Sequence, residues 1–361
     1  MSLKRIAYVL NVFPKLSETF IAGELAELLK RGVAIQALSL RKPKDEPHHP
    51  IVGRAGLMTH MHYDVSRFKT LLREFQPQLI HAHFAKEATA MARELADELG
   101  VPFTFTAHRY DIYDKAPADF AARAAAAAAM ITVSEANARY ISTTFGVPPD
   151  QIRLIPCGID TDYFVPPSRP VSEDHPLILC VARLHPAKNQ EMLLRACARL
   201  KACHINFRCV LVGDGPTRQA LLDTRAACGL ETSVELVGAA DQSEVLRWLE
   251  RATVVALPSH SEGMPVSLME AAACGVPAVA TAVSGVPELI EDGVTGFVVP
   301  PNDDVALAIA LAKILGDHNL AARMGTAARR RAVERFTIGL QVDRLLDVWS
   351  HAARQECGSC L

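Results

Sequence analysis

The feature that most constrains this chain is a repeat. Short runs too uniformly apolar to alternate between two faces recur at intervals filled by helical spacing. Residues 6–10, 34–40, 79–82, 103–107, 130–133 and 152–155 read as buried strands of the parallel kind. Between them, residues 19–31, 67–75, 87–99, 119–129 and 135–145 carry helical periodicity. This order predicts a doubly wound α/β domain over residues 1–165. Pro166, Pro167, Pro170 and Pro176, set among polar residues, mark a linker over residues 166–176. The alternation then restarts, with strands expected at residues 177–182, 208–212, 234–237, 254–257, 278–281 and 296–299. A second doubly wound domain is therefore expected over residues 177–336. In the last segment, residues 337–361, Leu340, Leu345, Leu346, Val348 and Trp349 predict a helix that packs back onto the first domain. A length of 361 residues agrees with two domains of about 150 residues each. Two such Rossmann-like domains are expected to face a cleft, with ligands bound beyond the carboxyl ends of the strands.

Composition removes several function classes. Lys plus Arg (38) nearly cancels Asp plus Glu (40), and aromatics make up 6% of the residues, so the footprint of a nucleic-acid binder is missing. Lys4 and Arg5 precede an apolar run that Asn11 and Pro14 end too early for a secretory leader. Residues 124–131 fall far short of the roughly 20 apolar residues a membrane span needs. The nine cysteines, from Cys157 to Cys360, read as reduced and mostly buried thiols, and a cytoplasmic protein is expected. Cys357 and Cys360 have redox or metal spacing but read as a frayed tail.

The chemistry should lie in loops after strands. Arg183 and Lys188 follow residues 177–182; a planar fork and a compact charge together suit phosphate oxygens. After residues 254–257 the chain reads Ser261-Glu262-Gly263-Met264-Pro265-Val266-Ser267-Leu268-Met269-Glu270. Pro265 suits a first helical turn, whose free N–H groups favour an anion or a sugar hydroxyl, and Gly263 permits close approach.

Glu262 and Glu270, with seven residues between them in this setting, resemble the signature of family 4 of the retaining glycosyltransferases. Arg183 and Lys188 match that family's phosphate-binding pair, Gly213-Asp214-Gly215 its second-domain turn, and Ser284-Gly285-Val286-Pro287-Glu288 its next loop. Phe13 to Phe20, His81-Ala82-His83-Phe84 and Thr106-Ala107-His108-Arg109-Tyr110-Asp111 are similar to the exopolysaccharide, or colanic-acid-type, branch. The resemblance implies a GT-B fold and transfer of a hexose-type sugar from a nucleotide-diphosphate donor to a saccharide or polyprenyl-linked acceptor. It implies that Arg183 and Lys188 hold the diphosphate, that Glu262 and the backbone of Gly263, Met264 and Val266 hold the sugar, and that Glu270 holds the ribose. His108 would reach the donor sugar, and Lys15, Ser17, His83 and Asp111 would lie on the acceptor side. No metal is implied. Two departures stand out: Phe13-Pro14-Lys15-Leu16-Ser17 replaces a Gly-Gly loop, and Arg109 replaces a small residue.

Other readings compete. A GT-B sugar-nucleotide epimerase keeps a similar scaffold, and a non-catalytic scaffold would bind without turnover. Glu262 in a loop and Glu270 in the following helix would not flank one bond as a glycoside hydrolase requires. Gly213 and Gly215 suggest a nicotinamide site, but Arg218 stands where the third glycine would be. Asp160 and Asp162 mimic a metal pair but read as a turn, and His48, His49, His60 and His62 lack ligands at zinc spacing. Arg67, Lys69 and Arg73 beside Phe68, Leu71, Leu72 and Phe75 form a basic amphipathic pattern, a candidate for weak contact with a membrane.

Overall fold

A computed structural model describes residues 3–43, 49–168 and 175–358. The chain divides into two compact units: Met1–Gly158 with Ile338–Leu361, and Ile159–Thr337. The first is built on β1 (Arg5–Val12), β2 (Ala34–Arg41), β3 (Met61–His62), β4 (Leu79–His83), β5 (Phe103–Ala107), β6 (Ala129–Thr132) and β7 (Ile152–Leu154), in the order β3-β2-β1-β4-β5-β6-β7. The second is built on β8 (Leu177–Val181), β9 (Arg208–Val212), β10 (Val234–Gly238), β11 (Val254–Leu257), β12 (Ala278–Thr281) and β13 (Gly296–Val299), in the order β10-β9-β8-β11-β12-β13. All pairings are parallel. In each sheet the strand order reverses beside its first strand, at β1 and β4 or at β8 and β11. Loops at the carboxyl ends of those strands diverge there and leave a crevice.

The strands form where the sequence places them because buried parallel strands need continuous apolar runs; β1, β4, β5, β6, β8, β9, β11 and β12 are almost wholly buried. Two readings change. β3 is only two residues long and has no apolar run to betray it. β7, expected to be buried, is an edge strand with Leu154 40% exposed.

The boundary between units moves as well. Residues 159–165, expected in the first domain, join the second: Ile159 N–H bonds Phe336 O (2.9 Å), and Arg329 donates to the carbonyls of Thr161 (3.0 Å) and Phe164 (2.8 Å). The linker reading at residues 169–174 lies outside the described residues. The helix Ile338–Gly358 packs on the first unit as expected, burying Val342, Leu345 and Trp349 beside Tyr8 and Ile21.

The basic helix Phe68–Phe75 is not a free amphipathic face. Phe68 and Leu72 are buried in the core of the unit, Lys69 pairs with Glu98 (2.7 Å) and Glu94 (3.2 Å), and Arg73 pairs with Glu98. Of the three cations in the pattern, Lys69 and Arg73 are already partnered by the helix Glu87–Leu99, which leaves Arg67 alone to support the membrane reading among the described residues. Among the described residues no single helix is long and apolar enough to cross a membrane. The seven described cysteines are free thiols, five of them buried. Cys360 lies outside the described residues, as does the side chain of Cys357.

Candidate active site

In the second unit the turn after β8 carries both expected cations. Gln190 clamps it by donating to Arg183 O (2.8 Å), and His260 N–H donates to Ala187 O (2.8 Å), which fastens the loop after β11 to the Lys188 turn. Behind the turn lies Gly213-Asp214-Gly215: a Cβ on Gly213 would meet Ala182 O at 2.0 Å, and one on Gly215 would meet Leu184 O at 2.3 Å. The two glycines therefore serve the packing of residues 182–184, and Leu184 N–H bonds Asp214 O (3.0 Å) across the contact.

Lys188 Nζ lies 2.5 Å from Glu262 Oε1, with the lysine side chain 23% and the glutamate side chain 5% exposed. Ser259 Oγ donates to the same oxygen (2.6 Å). Glu262 Oε2 has no hydrogen-bond partner among the described residues. One carboxylate oxygen is thus fixed and the other is open to donors, while an ammonium with three N–H groups keeps two for phosphate oxygens. Arg183 is exposed, and its guanidinium has no acidic partner among the described residues. Gly263, Met264 and Pro265 are buried and lead into the helix Val266–Ala273, whose N-terminus no side chain caps. Its first N–H groups remain available to an oxygen acceptor. Glu270, inside that helix, is buried; desolvation pushes its carboxyl up to about 8, partly opposed by a hydrogen bond from Gln242.

In the first unit the register of β1, β4 and β5 gathers polar rings on one sheet face. Tyr8 lies opposite His81, His81 opposite Thr104, and His83 opposite Thr106, so these side chains and the next one on that face, His108, share one side. His83 Nδ1 is 3.0 Å from His108 Nε2, and His83 Nε2 is 3.2 Å from Glu24 Oε1. Tyr8 Oη donates to Glu24 Oε1 (2.6 Å), and Gln341 Nε2 donates to Glu24 Oε2 (2.6 Å). His81 binds the hydroxyls of Thr104 (2.8 Å) and Thr106 (3.2 Å). Burial holds His81 and His108 well below the usual histidine range. Glu24, His81 and His83 offer ligand atoms within 4.8 Å of one another, yet each already has protein partners, so a metal ion would have to displace these bonds.

Two acceptor-side expectations change. His83 is buried and spends both ring nitrogens on Glu24 and His108. Asp111 is fully buried, accepting from His108 N–H (3.0 Å) and Ala85 N–H (2.6 Å), so it ties the ends of β4 and β5 together rather than meeting a ligand. Desolvation pushes its carboxyl up to about 7, against those two N–H bonds. Lys15 pairs with Glu18 (3.0 Å), and Ser17 is exposed without capping the helix Thr19–Lys30. Arg109 forks onto Asp114 (2.8 and 3.0 Å). Asp160 accepts from Asp162 and Tyr163 N–H (both 3.0 Å), as a turn residue does. His49 is bonded to Leu16 O and His62 to Gln36, and His48 lies outside the described residues.

Sequence reading missed Glu24 and Gln341. The signal for Glu24 was present: it stands between Ile21, Leu25 and Leu28 on the buried stripe of its helix, where a charge needs a partner.

Residues 17–163 match the family described as Glycosyltransferase Family 4, and residues 165–331 match Glycosyl transferases group 1. The chain belongs to glycosyltransferase family 4. This family member is 36% identical over 205 residues to the protein named as the colanic acid biosynthesis glycosyltransferase WcaL of Salmonella typhimurium, covering 54% of this chain and 49% of that one. It is 33% identical over 214 residues to the amylovoran biosynthesis glycosyltransferase AmsK of Erwinia amylovora, covering 58% of this chain and 53% of that one. The chain thus spans about half the length of these two relatives. The D-inositol 3-phosphate glycosyltransferase of Saccharomonospora viridis is 27% identical over 395 residues, covering 95% of this chain and 90% of that one. In fold, the family 4 chain resembles HepE of Anabaena, solved in complex with UDP-glucose, at TM-score 0.82 and 19% identity, over 97% of this chain and all of that one. Its two parallel α/β domains are of the GT-B class.

Proposed function

We propose that this family 4 member is a retaining, metal-independent hexosyltransferase of exopolysaccharide biosynthesis. It would move a sugar from a cytoplasmic nucleotide-diphosphate donor to a saccharide, free or polyprenyl-linked. The observation that carries the reading is the Lys188–Glu262 pair, one half-open ammonium and one half-satisfied carboxylate, next to an uncapped helix N-terminus and the unpaired Arg183. The names of WcaL and AmsK support the exopolysaccharide assignment.

Departure of the diphosphate leaves negative charge on its oxygens and positive charge on the sugar. Fixed cations aimed at the leaving group stabilise the first, and Glu262 Oε2 can accept from sugar hydroxyls. Glu270 would accept from the ribose hydroxyls. In retention, the leaving phosphate takes the acceptor's proton on the same face of the sugar, and His108 would lie against that sugar.

The test is a thermal-shift screen of UDP-, GDP- and ADP-sugars, followed by product analysis with and without acceptor. A stabilising donor and a product of retained anomeric configuration are expected. Conversion of the donor without acceptor would identify an epimerase instead, and binding without turnover a scaffold. Activity should also survive EDTA; complete loss restored by Mg²⁺ or Mn²⁺ would overturn the metal-free reading.

A pH dependence follows from Glu270. With its carboxyl near 8 in the free protein, hydroxyls that donate to the carboxylate favour the ionised form, so donor binding below that pH releases a proton. Donor affinity should therefore rise with pH up to about 8 and then level, and Glu270→Gln should flatten the profile. Calorimetry in buffers of different ionisation enthalpy counts the proton; no release by the wild type would remove Glu270 from the ribose.

A further inference from the structure

We propose that Glu24 and His83 are positioning residues that hold His108 in one tautomer, with Nε2 protonated toward His83 and Nδ1 presented as a hydrogen-bond acceptor for a substrate hydroxyl. Gly158 N–H donates to Gln341 Oε1 (2.5 Å), which fixes the amide and obliges its Nε2 to donate to Glu24 Oε2 (2.6 Å). Glu24 Oε1 meets Tyr8 Oη at 2.6 Å, and burial together with the Glu24 charge keeps that phenol protonated far above its usual range, hence a donor.

A carboxylate whose other contacts all donate needs an N–H from His83 Nε2 as well. With His83 neutral, its Nδ1 is an acceptor and donation from His108 Nε2 makes the 3.0 Å contact, whereas an imidazolium at His83 would donate to His108 and reverse its tautomer. His108 stays neutral because burial penalises its charged form. Its second nitrogen, Nδ1, is therefore the bare one. That atom has no partner among the described residues, while His108 is 8% exposed in a site otherwise walled by Phe20 and Phe84, each with its ring 4.7 Å away. His81 stands outside the chain, both nitrogens taken by threonine hydroxyls. The arrangement has a specificity consequence: His108 can receive a hydroxyl proton in a hydrogen bond but cannot donate to a ring oxygen or a phosphate.

The role of His108 at the sugar rests on the proposed transferase reading, but its tautomer does not, so the test has two arms. Protein labelled with ¹⁵N-histidine, assigned through His83→Gln and His108→Gln, is expected to show His108 with Nε2 protonated and Nδ1 bare, and His83 with the same pattern. A protonated Nδ1 on His108 in the wild type overturns the proposal whatever the protein catalyses. In Glu24→Gln the obligatory acceptor becomes an amide able to donate, so both histidine patterns should scramble and kcat should fall on the order of tenfold or more, with little change in donor KM. Tyr8→Phe removes a buried hydrogen bond to the same carboxylate and should keep the wild-type histidine spectrum. If Glu24→Gln folds and leaves the His108 spectrum unchanged, Glu24 is a packing residue and the proposal fails. A correct spectrum in a protein that transfers no sugar would sink the transferase reading alone.

Discussion

On the proposed function, Lys188→Ala is expected to lower kcat about a hundredfold or more, because a cation placed to meet a leaving diphosphate would act most strongly in the transition state. The geometry makes the effect larger than loss of one charge. Lys188 pairs with Glu262, whose side chain is 5% exposed, so alanine leaves a nearly buried carboxylate with only Ser259 as a donor to Oε1. The double variant Lys188→Ala with Glu262→Gln should therefore lose less than the product of the two single losses, since each residue's cost includes the other's isolation. Arginine should not substitute well, because a planar fork cannot both pair with Glu262 Oε1 and occupy the space of a compact ammonium. Steady-state kinetics beside a melting curve check this. An unchanged kcat in a folded Lys188→Ala protein would remove the residue from the leaving-group site.

Gly213→Ala is the second large effect. The new Cβ would stand 2.0 Å from Ala182 O and 2.8 Å from Ala182 C, at a backbone φ of +144° that side chains rarely adopt. Neither contact can be relieved by turning a side chain, because both neighbours are backbone. The clash and the strained backbone together should cost about 2–4 kcal/mol of stability. Relief must come from moving residues 182–184, and Arg183 moves with them. The expected result is a lower melting temperature together with loss of the donor-induced thermal shift, whereas a surface destabilisation would lower the first and preserve the second. Wild-type values for both would show that the turn does not support the Arg183 loop.

Sequence reasoning recovered the strands that lie inside the sheets because burial on both faces leaves a continuous apolar run. It missed Met61–His62, which is too short to carry such a run, and it placed Ile152–Leu154 as a strand without showing that it is an edge whose residues meet water. The grouping of Lys188 and Glu262 in the second unit was legible because a strand end, a proline-started helix and charged residues in fixed order are local features. The first-unit cluster was legible only in part. His83 and His108 stood out as strand-end histidines, but their mutual contact depends on the β4 and β5 register, and their anchors come from residues 24 and 341, far away along the chain. Asp111 was misread for the same reason: nothing local shows that two backbone amides from different strand ends consume its carboxylate. The basic helix was misread because its partners, Glu94 and Glu98, lie on a neighbouring helix.

The chain leaves the first unit after Gly158 and re-enters it at Ile338. Ile159 and Thr337 form a bridge within the second unit, and Gly158 N–H bonds Gln341 within the first. Both junctions are thus pinned side by side, and residues 159–337 are topologically an insertion into a domain whose own ends meet around it. Such a segment behaves as a cassette. A cut at these two points interrupts no strand in either sheet and leaves the histidine chain within the first unit. On the proposed function, recombination at these two points would give one first unit a second unit with a different sugar donor.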